Sequence, residues 1–262
     1  MPVWDRPEIE RVGFVGDLHG NLTAARRALQ WCRVRGAQLV VQVGDLGVYW
    51  PGDGDRVTSG LDRVLERAGL SMVFVDGNHD GHERLSQLRG GGPGRVHQVG
   101  ERLWWADRGA RFHLGTVRFG ALGGAYSVDA GTRTAGVDWW PDLEEPTARD
   151  VARLGTEPLD VLVSHDAPAQ VPLVSQWPVG SRPERASWRA REAVSAAVGA
   201  TGAGLVVHGH WHHRHDTGVD IAGRRVRVLG LAGDIDPVSQ VVAVLGADEL
   251  ARSREHAAAG GG

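Results

Sequence analysis

Val12-Gly13-Phe14-Val15-Gly16-Asp17-Leu18-His19-Gly20 sets the reading of this chain. Four mostly apolar residues make a short strand, and the strand stops on glycine, aspartate and histidine. The same pattern recurs four times. Val41-Gln42-Val43 is followed by Gly44-Asp45, and Phe74-Val75 by Asp76-Gly77-Asn78-His79-Asp80. Leu162-Val163 is followed by Ser164-His165-Asp166, and Val206-Val207 by His208-Gly209-His210-Trp211-His212. Five apolar runs thus each end in a cluster of Asp, Asn or His.

The segments between these runs set the fold class. Apolar residues at helical spacing predict a helix over 22–34, with Asn21 as its N-cap. A second strand covers 39–43, a helix 57–68 is ended by Gly69, and a third strand covers 71–75. A short helix fits 82–88. Strand–helix–strand at this spacing implies parallel strands with crossover helices. Short β-like runs follow at 102–105, 111–114 and 117–122, with hairpins as the simplest connection. Residues 123–146 are irregular and rich in Gly and Trp. Then come a helix at 147–154, a buried strand at 159–164, a helix at 185–198 and a strand at 205–207. Runs 216–221 and 224–229 flank Ala222-Gly223, which reads as a tight hairpin. The whole is an α/β pattern with mixed sheets. No linker divides it, so 1–250 is read as one domain and 251–262 as a disordered tail.

Bulk composition excludes several classes. The chain has 262 residues, is 42% hydrophobic and carries a formal charge of -3. It can bury a large core and has no excess charge for coating DNA or an anionic membrane. Every one of the 29 basic residues is arginine. The one cysteine, Cys32, lies in the first helix and reads as a buried, inert thiol. Charge at Asp5 and Arg6 sits where a secretory signal needs an apolar run, and no stretch approaches about 18 apolar residues. A cytoplasmic protein is expected.

Ligands bind at the carboxyl ends of strands in open α/β sheets. If the five strands were neighbours in one sheet, their clusters would meet at one rim. Carboxylate, imidazole and amide donors without thiolate suit Mn, Fe or Zn. Asp17, His19, Asp45, Asn78, His165, His210 and His212 are seven ligand-type side chains. That overfills one octahedral centre, so two ions are expected. Asp45, the only acid of its cluster, is the candidate bridge. Taken singly, each cluster has a bland explanation as a turn or cap. Five strand ends together do not.

These blocks resemble the calcineurin-like metallophosphoesterase superfamily: Asp-x-His, Gly-Asp, Gly-Asn-His-Asp, His and Gly-His-x-His, in that order, over residues 16–212. The resemblance implies a four-layer α-β-β-α sandwich of two mixed sheets flanked by helices. It implies one ion on Asp17, His19, Asp45 and His212, and another on Asp45, Asn78, His165 and His210. It implies that His79 sits by the substrate and helps protonate the leaving group. Two ions about 3.5–4 Å apart lower the pKa of a shared water and stabilise entering and leaving oxygens.

One departure matters. Similar protein Ser/Thr phosphatases extend the second block to Gly-Asp-x-x-Asp-Arg-Gly, and this chain has Gly44-Asp45-Leu46-Gly47-Val48-Tyr49-Trp50. The absent arginine would grip a dianionic monoester. The expected substrate is therefore a small phosphodiester, such as a nucleotide or cyclic nucleotide. The alternatives are a phosphomonoesterase, protein phosphatases included, and a silent scaffold with the same fold. The scaffold should lack His79 or several ligands, and this chain keeps them. Arg133 is a candidate replacement for the missing grip. Tyr126 is a candidate substrate contact, and Trp139 and Trp140 stand either for base stacking or for packing. Asp80 or Asp166 is positioned to orient an imidazole, or else is a solvated turn carboxylate. His208, His213 and His215 are set aside as neighbours of the site.

Overall fold

The structure is a computed structural model that describes residues 9–52, 55–173 and 181–251. The expected tail at 251–262 and the charged start at Asp5 and Arg6 fall outside these residues, Ala251 excepted. In chain order the elements are β1 (Arg11–Val15), α1 (Leu22–Val34), β2 (Leu39–Gln42), α2 (Asp55–Ala68), β3 (Met72–Phe74) and α3 (His82–Gln87). Next come β4 (Val96–Gln98), β5 (Leu103–Ala106), β6 (Arg111–Leu114), β7 (Val117–Leu122), α4 (Ala148–Leu154) and β8 (Val161–Ser164). The last are α5 (Arg182–Thr201), β9 (Leu205–His208), β10 (His215–Ile221), β11 (Arg224–Gly230), α6 (Val238–Val241) and β12 (Val242–Gly246).

Two mixed six-stranded sheets result. The first has the order β12-β1-β2-β3-β5-β4 and the second β10-β11-β9-β8-β7-β6. β1, β2 and β3 run parallel, as do β8 and β9. The five motif-bearing strands thus divide three and two between two sheets flanked by helices, as the family resemblance implies, and do not share the rim of one sheet. Apolar patterning identifies a buried strand but not its partner. The two sheets stack face to face, so their carboxyl ends still converge.

Alternation along each strand builds the layers. Val12, Phe14, Val41 and Val73 face a core that also contains Phe119, Val163, Val207 and Leu229 of the second sheet. Phe14 and Phe119 stack with centroids 6.4 Å apart. Val15, Val40 and Phe74 point the other way, onto Ala25, Leu29 and Cys32 of α1 and Leu61 and Leu65 of α2. Leu162, Val206 and Val228 meet Val194, Ala197 and Val198 of α5. Strands covered on both faces read as continuous apolar runs, as these do. Each fully buried Phe contributes roughly 1.5–3 kcal/mol.

Local signals explain the element ends. The Asn21 side chain accepts hydrogen bonds from the backbone N–H groups of Thr23 and Ala24, both at 3.1 Å, and starts α1. β10 and β11 are joined at Ala222-Gly223, where both residues have positive φ (49° and 74°). That is the twist a two-residue hairpin needs. Strands β6 and β7 form the expected hairpin. β5 does not join it, because it pairs in parallel with β3 and antiparallel with β4 in the first sheet. The chain changes sheet between Ala106 and Arg111. β4 escaped the sequence reading because two half-exposed residues and an exposed one carry no apolar run. β12 escaped because α6 passes into it without a break, and a continuous apolar stretch does not separate helix from strand.

Candidate metal centre

All five clusters sit at the carboxyl ends of their strands, where the two sheets meet. Two groups of donor atoms form there. Asp17, His19 and His212 make one, and Asp45, His165 and His210 make the other, with ligand atoms in each group within 4.8 Å of one another. Each group takes residues from both sheets. Asp45 connects the two. Its Oδ2 lies 3.4 Å from His19 Nε2 and its Oδ1 lies 3.3 Å from His165 Nε2. Asn78 joins the second group through Oδ1, 3.2 Å from His165 Nε2. In the first group His212 Nε2 is 2.9 Å from Asp17 Oδ2. All seven candidate ligands are thus brought together. Carboxylate oxygen, imidazole nitrogen and amide oxygen in two linked sets fit a pair of divalent first-row ions.

The backbone is bent to place them. His19, Asp45, His210 and His212 have φ of 43°, 53°, 64° and 47°. Left-handed backbone at a non-glycine residue costs roughly 1–3 kcal/mol and persists where surrounding structure enforces it. Asp45 is enforced by the backbone: its carbonyl accepts hydrogen bonds from Leu18 and His19, at 3.0 and 2.8 Å. Glycine also lets chains approach. A Cβ at Gly209 would collide with the Asp17 carboxylate, and one at Gly77 with Asp45.

Neighbouring groups fix the rings. His165 Nδ1 lies 2.9 Å from the Val43 carbonyl oxygen, so Nδ1 carries the proton and Nε2 faces the other donors. His19 Nδ1 faces Asp234 in the same way. Charges are strongly coupled. Burial would lower the pKa of His165, but the Asp45 and Asp17 carboxylates and the Val43 carbonyl raise it to about 10. Burial likewise opposes, and Asp45, Asp17 and Asp234 impose, a rise to about 9 at His19. Burial pushes Asp45 up, yet the imidazoles of His165, His19 and His79 hold it well below the ordinary range. Burial and the neighbouring His165 charge push His210 down to about 3. The cluster as a whole draws in positive charge, which divalent cations would satisfy.

His79 flanks this pair of groups. Its backbone N–H donates to Asp45 Oδ1 at 2.6 Å, and its ring lies 5.2 Å from the Trp50 ring. Burial lowers its pKa; Asp45 opposes this and Arg133 adds to it. Arg133 Nη2 is 2.6 Å from His79 Nε2. The Arg133 side chain is only 4% exposed and pairs with Asp129 and Glu144. A cavity of about 260 Å³ opens over the centre, lined by His19, Asp45, Asn78, His79, His210 and His212 with Val128, Ser187 and Trp211. Neither Arg133 nor Tyr126 is in that lining.

Several sequence expectations change here. Asp80 is fully buried, not solvated. Its carboxylate accepts N–H bonds from Gly47, Val48 and Gly77 and ties the second and third strand-end loops together. Asp166 is also fully buried and accepts from Trp211 Nε1 and the Ala167 N–H. Neither orients an imidazole of the centre. Trp140 is buried against Trp50 and His82 and serves packing. His208 is buried and faces His215 Nε2 at 3.2 Å, outside both donor groups. Asp234, Asp129 and Trp50 were missed. Each is a single residue in a loop, and only its partner across the fold gives it meaning.

No curated protein matches the sequence significantly. Among solved structures, TT1561 of Thermus thermophilus superposes with a TM-score of 0.55 at 16% identity, covering 91% of this chain and 99% of that one. A dimetal phosphatase from Danio rerio superposes with a TM-score of 0.54 at 16% identity, covering 90% and 92%. At such identities the likeness concerns the fold. The family model for calcineurin-like phosphoesterases matches residues 10–214, which include all five strand-end blocks. With that match and these two linked donor groups, the chain belongs to the calcineurin-like phosphoesterase family.

Proposed function

We propose that this chain is a dinuclear metal-dependent phosphohydrolase acting on small phosphodiesters, nucleotides or cyclic nucleotides among them. Asp17, His19, Asp45 and His212 would hold one ion, and Asp45, Asn78, His165 and His210 the other; these mixed oxygen and imidazole donors suit manganese, iron or zinc, of which manganese is our choice. When bound, the pair supplies Lewis acidity and an activated water.

The observation that carries the choice of diester is the cavity wall. Among the described residues no arginine lines it, because Arg133 is turned inward onto Asp129 and Glu144. A dianionic monoester rewards a guanidinium clamp, and a monoanionic diester needs it less. The size of the cavity suits one phosphoester group with small substituents. Val128 and Trp211 offer apolar wall to one of those substituents. A guanidinium donates and cannot accept, so Arg133 Nη2, 2.6 Å from Nε2 and 3.2 Å from Nδ1 of His79, favours a neutral ring that offers it a lone pair. The remaining ring N–H of His79, at the cavity wall, would donate a hydrogen bond to a phosphoryl or departing oxygen.

The test is a manganese-loaded assay comparing bis(4-nitrophenyl) phosphate, 4-nitrophenyl phosphate and cyclic nucleotides. The diesters should turn over faster. Monoester turnover exceeding diester turnover would replace this reading with a phosphomonoesterase. His79→Ala should lose roughly 10²-fold or more in turnover while keeping its metal. Loss of metal with activity would assign His79 a structural role.

A further inference from the structure

We propose that Arg133 is a positioning residue that fastens the 127–140 segment to the site and fixes the His79 ring. The proposal rests on the reading of His79 as a substrate contact.

The middle of the segment is mostly exposed. Gly131, Thr132, Thr134, Ala135, Gly136 and Val137 all face solvent. Arg133 alone among residues 131–137 sends its side chain into the protein, where 4% of it stays exposed. Every face of its guanidinium is engaged. Nε donates to Asp129 Oδ2 at 2.8 Å, and Nη1 donates to the Asn78 carbonyl at 3.1 Å. Nη1 also lies 3.6 Å from Glu144 Oε1. Nη2 reaches His79 Nε2 at 2.6 Å, and the guanidinium lies over the Trp50 ring at 5.3 Å. Glu144 is itself held, accepting from the Trp140 N–H at 2.8 Å and from the Ser127 hydroxyl. His79, Trp50 and Arg133 therefore pack against one another, and the His79 ring is held by both neighbours. A group so committed cannot swing out to grip phosphate without abandoning a buried carboxylate, Glu144. Its effect on the reaction passes through His79.

The test uses Arg133→Met and Arg133→Lys in the full chain, with His79→Ala and the double variant His79→Ala/Arg133→Met. Misplacing a reacting group by about 1 Å costs about 10²-fold. Arg133→Met should therefore lose about 10²-fold in kcat with KM little changed and metal content retained. The double variant should be no slower than His79→Ala, since residues acting through one group are not additive. Losses that add, or a loss falling on KM, would overturn the proposal and make Arg133 a direct phosphate contact.

A second readout needs no activity. In histidine-labelled protein, the His79 ring protons, assigned with His79→Ala, should be shifted upfield by the Trp50 ring. That shift should vanish in Arg133→Met and return in part in Arg133→Lys. An unchanged His79 resonance in Arg133→Met would overturn the proposal even if the wild-type chain hydrolyses none of the phosphoesters. A wild type without turnover whose resonance does respond would sink the functional reading instead.

Discussion

His19 Nδ1 lies 3.3 Å from Oδ1 of Asp234, a carboxylate 215 residues further along the chain. The other oxygen of that carboxylate accepts from Asn21 Nδ2 at 2.8 Å, so the N-cap of α1 and the ring of His19 share one anchor. A carboxylate behind a ligating imidazole typically accounts for about 10–100-fold in metal affinity. Asp234→Asn should weaken one of the two proposed ion sites by such a factor and leave the other unchanged, read by manganese titration with electron paramagnetic resonance detection. Equal weakening of both sites, or of neither, removes this role.

Asp45 lies within 3.4 Å of imidazoles from both donor groups. Asp45→Asn should deplete both ions, measured by elemental analysis after dialysis. Full occupancy in that variant rules out a bridging carboxylate.

Arg108 and Asp76 form a buried pair behind the third strand end. Arg108 Nε and Nη2 reach Asp76 Oδ2 at 2.9 and 2.5 Å, while Trp105 Nε1 donates to Oδ1 at 3.0 Å. Removing one partner leaves a buried charge uncompensated, at a cost of about 3–5 kcal/mol. Arg108→Met should lower unfolding stability by that amount in urea titrations at neutral pH. A loss under about 1 kcal/mol would show that the pair relaxes or hydrates.

Cys32 is completely buried, and burial pushes its thiol from 9.0 up to about 12. The folded chain therefore favours the neutral thiol. Its contribution to stability is complete below pH 9 and drains away as pH rises from there toward 12. Native protein at pH 8 should show no reactive thiol toward a disulfide reagent, and one thiol after denaturation. Rapid native labelling would contradict this burial.

The sequence reveals what is local and hides what is distant. Asp17, Asp45, Asn78, His165 and His210 announce themselves because each follows an apolar run by a few residues, and the strand aims it at the sheet edge. The N-cap at Asn21 and the turn at Ala222-Gly223 are legible because backbone demands at those points are strict. Pairing is not legible. β8 and β9 read like β1 and β2, and nothing in their composition says which sheet they enter. Asp234 and Asp129 are lone acids in loops, and their meaning comes from His19 and Arg133. Arg133 is visible as an arginine in a Trp-rich segment, but its inward turn depends on Glu144 waiting beneath it. Asp80 looks like a turn residue and proves to be a buried tie between two loops.

The passage from one sheet to the other between Ala106 and Arg111 has an engineering consequence. A break there would leave Asp17, His19, Asp45 and Asn78 on one fragment and His165, His210 and His212 on the other. Neither piece would own a whole donor set. The second piece would also carry β12, whose antiparallel pairing with β1 gives the fragments a ready seam. Cation capture would then require reunion of the two polypeptides, and tethering each to one member of an interacting pair would make the chain a reporter of proximity.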